Sequence, residues 1–223
     1  MSVALASALA MAAVPVFASW SDNPASNFVI RSGDLGEQVQ PKILPTADGG
    51  AWISWFDDSH GGYDVRIQRL DSVGNRMLGP VGVLVAKRYF SSTQDYGLDE
   101  DASGNALLAF HVSDTHGNNI KIEAQKIAPD GTLLWGAHGI LFGNTADFLA
   151  DPKIAATSDG DVVVGWTDNA DMEFARLDAD GNPLWNPPIE ISDPGGASLT
   201  VSDIHGSDNG TAIVSYVSSK GFS

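Results

Sequence analysis

Cysteine is absent from the 223 residues, which excludes disulfide staples, thiolate metal sites and a thiol nucleophile. Basic residues are scarce: 12 Lys and Arg face 28 Asp and Glu, and the net charge of −16 repels nucleic acids and anionic lipid surfaces. Nucleic-acid partners are therefore not expected. No long apolar run follows residue 18, so no membrane span is expected in the mature chain. Catalytic signatures are missing too. The histidines His60, His111, His116, His138 and His205 show neither H-x-H nor H-E-x-x-H spacing, and there is no G-x-S-x-G elbow or Gly-rich phosphate loop. What the chain does have is 43% hydrophobic residues, enough at this length to bury a sizeable core.

Residues 1–18 form an uncharged run rich in Ala, Val and Leu that ends Val16-Phe17-Ala18, with small residues where a signal peptidase reads. The run reads as a secretory signal cleaved before Ser19, the alternative being a buried strand or helix. No Lys or Arg precedes it, as expected if Met1 is an internal start. Export from a bacterium, to the periplasm, the cell surface or the medium, fits a cysteine-free chain large enough to need no disulfides.

A turn followed by an apolar strand recurs four times. The copies begin Asp48-Gly49-Gly50, Ser103-Gly104-Asn105, Asp159-Gly160-Asp161 and Asn209-Gly210-Thr211, with Gly49, Gly104, Gly160 and Gly210 spaced 55, 56 and 50 residues apart. Six positions after each of these glycines stands an aromatic residue, Trp55, Phe110, Trp166 or Tyr216, and six before it an aliphatic one, Ile43, Leu98, Ile154 or Ile204. Downstream comes a third strand that ends in a second turn, at Gly74, Gly131 and Gly181, followed by Leu78, Trp135 and Trp185. A short fourth strand follows in Val83-Leu84-Val85, Ile140-Leu141-Phe142 and Ile189-Glu190-Ile191. Gly, Asn and Asp at the turns supply the positive φ of tight hairpins, so each repeat is a four-stranded antiparallel sheet.

The second strands are apolar on both faces and must be covered on both, as when sheet packs on sheet. The third strands alternate, with Arg66, Gln68, Glu123 and Glu173 opposite Val65, Ile67, Ile122 and Phe174, which places them nearer a solvated rim. The expected fold is all-β: a β-propeller of four-stranded antiparallel blades, incomplete, with about three and a half blades in this chain. The repeats run over about 38–94, 95–150, 151–200 and a truncated 201–223, within a mature 19–223. Residues 27–32 read as an orphan outer strand.

Pro41-Lys42-Ile43, Trp55-Phe56-Asp57, Gln68-Arg69-Leu70-Asp71, Asp151-Pro152-Lys153-Ile154 and Trp166-Thr167-Asp168 resemble a poorly characterised family of bacterial secreted β-propeller repeats. The resemblance spans roughly residues 27–223. It implies a fold and brings no catalytic residues.

Two patterns carry candidate chemistry. Asp99-Glu100-Asp101-Ala102-Ser103-Gly104 imitates the first half of a calcium loop, but Phe110 stands where a bidentate Glu is required, and Leu44, Pro45 and Thr46 are the first repeat's counterparts of the three acids. No cofactor is expected, with Ca²⁺ the one ion considered. The loops between second and third strands hold Asp57, Asp58, His60 and Asp64, then Asp114 and His116, then Asp168 and Asp171. Successive blades gather such loops on one rim, where they would bind sugar hydroxyls or a cation, unless they are polar merely because they are wet. The leading expectation is a non-catalytic secreted or surface scaffold that binds a protein or a glycan. The alternatives are a glycan-active hydrolase with carboxylates from different blades, and a structural segment of a larger surface protein.

Overall fold

The computed structural model describes residues 23, 25, 28–31, 33, 36–89 and 94–220. The signal expected at 1–18 lies outside the described residues. Blade 1 consists of β1 (Gln38–Pro45), β2 (Ala51–Asp57), β3 (Asp64–Leu70) and β4 (Val83–Ala86), antiparallel and in that order. Blade 2 repeats the plan with β5 (Gly97–Glu100), β6 (Ala106–Val112), β7 (Lys121–Ile127) and β8 (Ile140–Phe142). Blade 3 follows with β9 (Leu149–Ala156), β10 (Val162–Asp168), β11 (Asp171–Leu177) and β12 (Ile189–Ile191). A fourth sheet pairs β13 (Ser198–Gly206) with β14 (Ala212–Ser219). The chain is an all-β propeller built of four-stranded antiparallel blades.

The cores lie between blades. Trp52, Phe56, Ile67, Leu108 and Phe110 fill the space between blades 1 and 2; Leu107, Ile122, Phe142, Val164 and Trp166 that between blades 2 and 3. Phe142 and Trp166 stack at 5.3 Å across the second interface. Successive residues of one strand thus serve two cores, which is why the second strands have no polar face. Polar pins cross the interfaces as well. Arg88, wholly buried, donates from Nε to His111 O at 2.7 Å and lies 4.0 Å over the Phe56 ring. Burial pulls its pKa down to about 10. His111 in turn meets Leu149 O at 2.9 Å through Nε2, and burial, its largest influence, takes its pKa down to about 4, so the ring is neutral and donates.

Two details differ from the sequence reading. The third strands are not at a wet rim: Gln68 and Gln125 are wholly buried and Glu123 is 4% exposed. Blades 1 and 3 cover the two faces of β7, while β3 has blade 2 on one face only, and the two glutamines are tolerated because each closes its own hairpin. Gln68 donates to Gly79 O at 2.7 Å and accepts from Leu78 N at 2.8 Å; Gln125 does the same with Gly136 O at 2.7 Å and Trp135 N at 3.2 Å. Of the outer strand expected at 27–32, Phe28 to Arg31 are described, and they form no strand. Ile30 packs on the core of Ala51, Ile53, Trp55 and Leu70 instead, and Arg31 ion-pairs with Asp57.

The inner strands are bulged. Pairing slips by a residue between Val39 and Lys42, near Asp151 in β9 and between Val201 and Asp203, and Gln40 and Asp151 both take a φ of 48°. A bulge twists its strand and re-aims the side chains that follow it. The residues that follow are Lys42, Lys153 and Asp203.

Candidate functional site

Inner strands from all four sheets converge on a cavity of about 270 Å³. Close approach of the strands makes it compact. Gly97 on β5 is required there, since a Cβ would stand 2.7 Å from Ile154 N and 3.0 Å from Lys153 Cα. The polar lining is Lys42 from β1, Asp95 and Asp99 from blade 2, Lys153 from β9, and Asp203 and His205 from β13. Residues more than a hundred positions apart in sequence are brought to one place by the repetition of the blade.

The carboxylates in this cavity are held in different states. Asp95 receives Lys42 Nζ at 2.8 Å and Lys153 Nζ at 2.6 Å. Burial works against its charge, but the hydrogen bonds and charges of the two lysines prevail and hold its pKa down at about 2. Asp99, four residues further along, has no lysine partner among the described residues. Burial pushes its pKa up, the Asp203 charge adds to this, and hydrogen bonds from backbone N–H groups, including Ala156 N at 2.9 Å, together with His205, oppose it. Asp203 lies half-exposed with His205 Nε2 3.1 Å from its carboxylate. Tyr96 closes one wall: its hydroxyl donates to Gln40 O at 2.9 Å and lies 2.9 Å from Ser54 Oγ, and burial pushes its pKa up. One carboxyl inclined to keep its proton, one firmly ionised and one open to solvent are the parts of an acid–base site.

The loop acids stand elsewhere, and none of the eight lines the axial cavity. Asp57 is buried against Arg31 at 2.6 Å and Arg66 at 3.6 Å, and Asp58 accepts from Glu37 N. Asp64 is buried, which raises its pKa. His60 and His116 are exposed, each beside a neighbouring hydroxyl, Ser59 Oγ at 3.2 Å and Thr115 Oγ1 at 3.4 Å. Asp114 closes its own loop by accepting from His116 N at 2.9 Å, Asn118 N at 3.0 Å and Asn119 Nδ2 at 2.7 Å. Asp168 and Asp171 belong to a group with Asp147 and Glu190, whose charges, after burial, raise the pKa of Asp168. Among the described residues no group of three or more His, Asp or Glu is placed to hold a metal ion. In the calcium-like run, Asp101 is taken by Lys126 at 2.7 Å and by its own turn through Ser103 N and Asn105 N.

No family model matches the chain, and no curated protein matches it either. Solved structures do. The α-L-arabinanase of Penicillium chrysogenum, complexed with arabinobiose, superposes with a TM-score of 0.52 at 17% identity over 80% of this chain and 57% of that enzyme. The endo-arabinase of Bacteroides thetaiotaomicron gives a TM-score of 0.42 at 17% identity over 85% and 74% of the two chains. The endo-1,5-α-L-arabinanase of Thermotoga petrophila gives 0.38 at 19% identity over 67% and 42%. The chain spans little more than half the length of the Penicillium enzyme. The first likeness shows the propeller fold. It also corrects the expectation of a non-catalytic scaffold, because the protein matched is named as an α-L-arabinanase complexed with arabinobiose. The sequence reading missed the axial acids: it compared Asp99 with its repeat counterpart Leu44 and set it aside because the repeats did not share it.

Proposed function

We propose that the axial cavity is a glycan-hydrolysing site. Asp99 is the proton donor to the glycosidic oxygen, and Asp203, from another blade, is the carboxylate that activates water or attacks the anomeric carbon. Asp95, fixed in its charged form by Lys42 and Lys153, holds the two ammonium groups in the cavity wall, where they donate hydrogen bonds to sugar hydroxyls. The observation that carries this reading is the split among the carboxyls: four residues apart in the chain, Asp95 is pulled down to about 2 while Asp99 is raised. A cluster with a purely structural role has no need of carboxyls displaced in opposite directions. The arabinobiose complex of the Penicillium neighbour makes arabinan the first substrate to try. Export from the cell, resting on the signal-like start, goes with a polymeric substrate found outside it.

Linear arabinan and chromogenic arabinosides, assayed with the full chain, test the reading. Asp99→Asn is expected to lower turnover by about 100-fold or more, the usual contribution of a general acid. In the wild type, activity should fall as pH rises through the Asp99 pKa, since the donor is then lost. Turnover that survives Asp99→Asn unchanged overturns the assignment.

A further inference from the structure

Away from the axis, the outer strands of blades 1 and 2 part around a cleft of about 560 Å³, a volume typical of small-molecule sites. It shares no lining residue with the axial cavity. Val85, Ala86, Leu133 and Leu141 give it apolar walls, and Glu123 on β7 lines it as well. Glu123 is 4% exposed, and its Oε1 is out of contact with water and has no hydrogen-bond partner among the described residues. The carboxylate fits because Gly139 has no side chain: a Cβ there would stand 3.1 Å from Oε1. Burial, the sole influence on it, raises its pKa to about 7.

The repeat shows how this acid lacks the partner that its blade 1 counterpart has. Arg66, Glu123 and Glu173 occupy the same cross-strand position, opposite Trp55, Phe110 and Trp166. In blade 1 Arg66 has Asp57 at 3.6 Å; in blade 2 the counterpart of Asp57 is Val112, which cannot pair with Glu123. The other charged or titratable groups on the cleft do not replace that partner. Lys87, Tyr89 and His138 are exposed, and Asp114 is engaged by its own loop. A buried carboxylate without a counter-charge is costly, and a ligand that supplies the charge recovers a strong, desolvated ion pair. The net charge of −16 draws cations to the surface.

We propose that the cleft between blades 1 and 2 binds a small amphiphilic ammonium compound, its apolar body against Val85, Ala86 and Leu141 and its charged nitrogen on Glu123. Titration calorimetry of the full chain with n-hexylammonium at pH 6, in buffers of different ionisation enthalpy, tests this. Binding is expected to release a proton, because the pair requires the ionised acid. Glu123→Gln, an isostere of the protonated form, is expected to weaken binding about tenfold or more. 1-Hexanol, which needs no charge, is expected to bind more weakly than hexylammonium and equally to both proteins. Leu141→Ala, at a half-exposed wall, provides a second variant that keeps the fold, and it should weaken hexylammonium while leaving proton release intact. Absence of binding, affinity unchanged in Glu123→Gln, or hexanol binding as tightly as hexylammonium would each overturn the proposal.

Discussion

Asp114 and Asp99 belong to the same blade and are used in opposite ways. Asp114, on the loop after β6, accepts hydrogen bonds from His116 N, Asn118 N and Asn119 Nδ2, and those bonds pull its pKa down. Its charge is consumed in shaping five residues of its own backbone. Asp99, on the inner strand, meets a neighbouring blade and a second carboxylate, and its pKa goes up. The rim of a propeller is rich in acids because turns need them; the axial cavity is lined by three, Asp95, Asp99 and Asp203. Acid content therefore says little, and the useful quantity is what each carboxylate has already been given as a partner.

The largest effects should separate these two groups. Asp99→Asn is expected to cost about 100-fold or more in turnover, while Asp114→Asn, which keeps an acceptor oxygen, should leave turnover within about twofold. Equal losses at both positions would erase the distinction between rim and axis.

Glu123 extends the comparison to a carboxylate whose Oε1 has no hydrogen-bond partner among the described residues. Its folded pKa of about 7 lies above the ordinary glutamate value of 4.5, so the native state holds its proton over a range where the unfolded chain has lost it. Stability should then fall as pH rises from about 4.5 to 7, by about 3 kcal/mol at the full extent of the shift. Chemical denaturation across pH 4 to 8 measures this. In Glu123→Gln that part of the slope should vanish, leaving the variant more stable than the wild type at pH 8 and similar at pH 4.

A geometric change tests the axis without touching a charge. Gly97→Ala places a methyl 2.7 Å from backbone nitrogen of the facing strand, and neither strand can yield without moving Asp95 or Lys153. A loss of about 2 kcal/mol in stability is expected, with turnover reduced as well, because the cavity is built from the strands that separate. Wild-type stability in this variant would mean that the inner strands are not packed as closely as the site requires.

Much of the fold could be read in the chain because turns are written locally. Gly49, Gly104, Gly160 and Gly210, each with an aromatic residue six positions on, mark the hairpin from first to second strand in every sheet. The burial of Gln68 and Gln125 could not be read, since a glutamine on an alternating strand looks solvated until its own hairpin is seen to satisfy it. Nor could the axial site. Asp95, Asp99 and Asp203 fit no motif, and their meeting depends on bulges and on Gly97, which act on blade packing rather than on sequence spacing. A signal was nevertheless present. Leu44, Ala155 and His205 are the counterparts of Asp99, and such a mismatch against a regular repeat marks the place where the propeller does something its blades do not share.

The smallest effect expected is at the rim. Asp114→Ala removes the acceptor for two backbone N–H groups and the Asn119 amide, all of which water can reach and satisfy in its place. Only a slight fall in melting temperature should follow, about a degree. Because these bonds depress the folded pKa below the usual 3.8, their contribution is present above that value and is lost as pH falls through the depressed one. The difference between variant and wild type should therefore shrink as the solution is acidified below pH 3.8, and thermal melts at pH 7 and pH 3 would show it. A deficit that does not shrink at all between pH 7 and pH 3 would mean that Asp114 stabilises its loop by packing rather than by charge, and the rim would then resemble the axis more than its hydrogen bonds indicate.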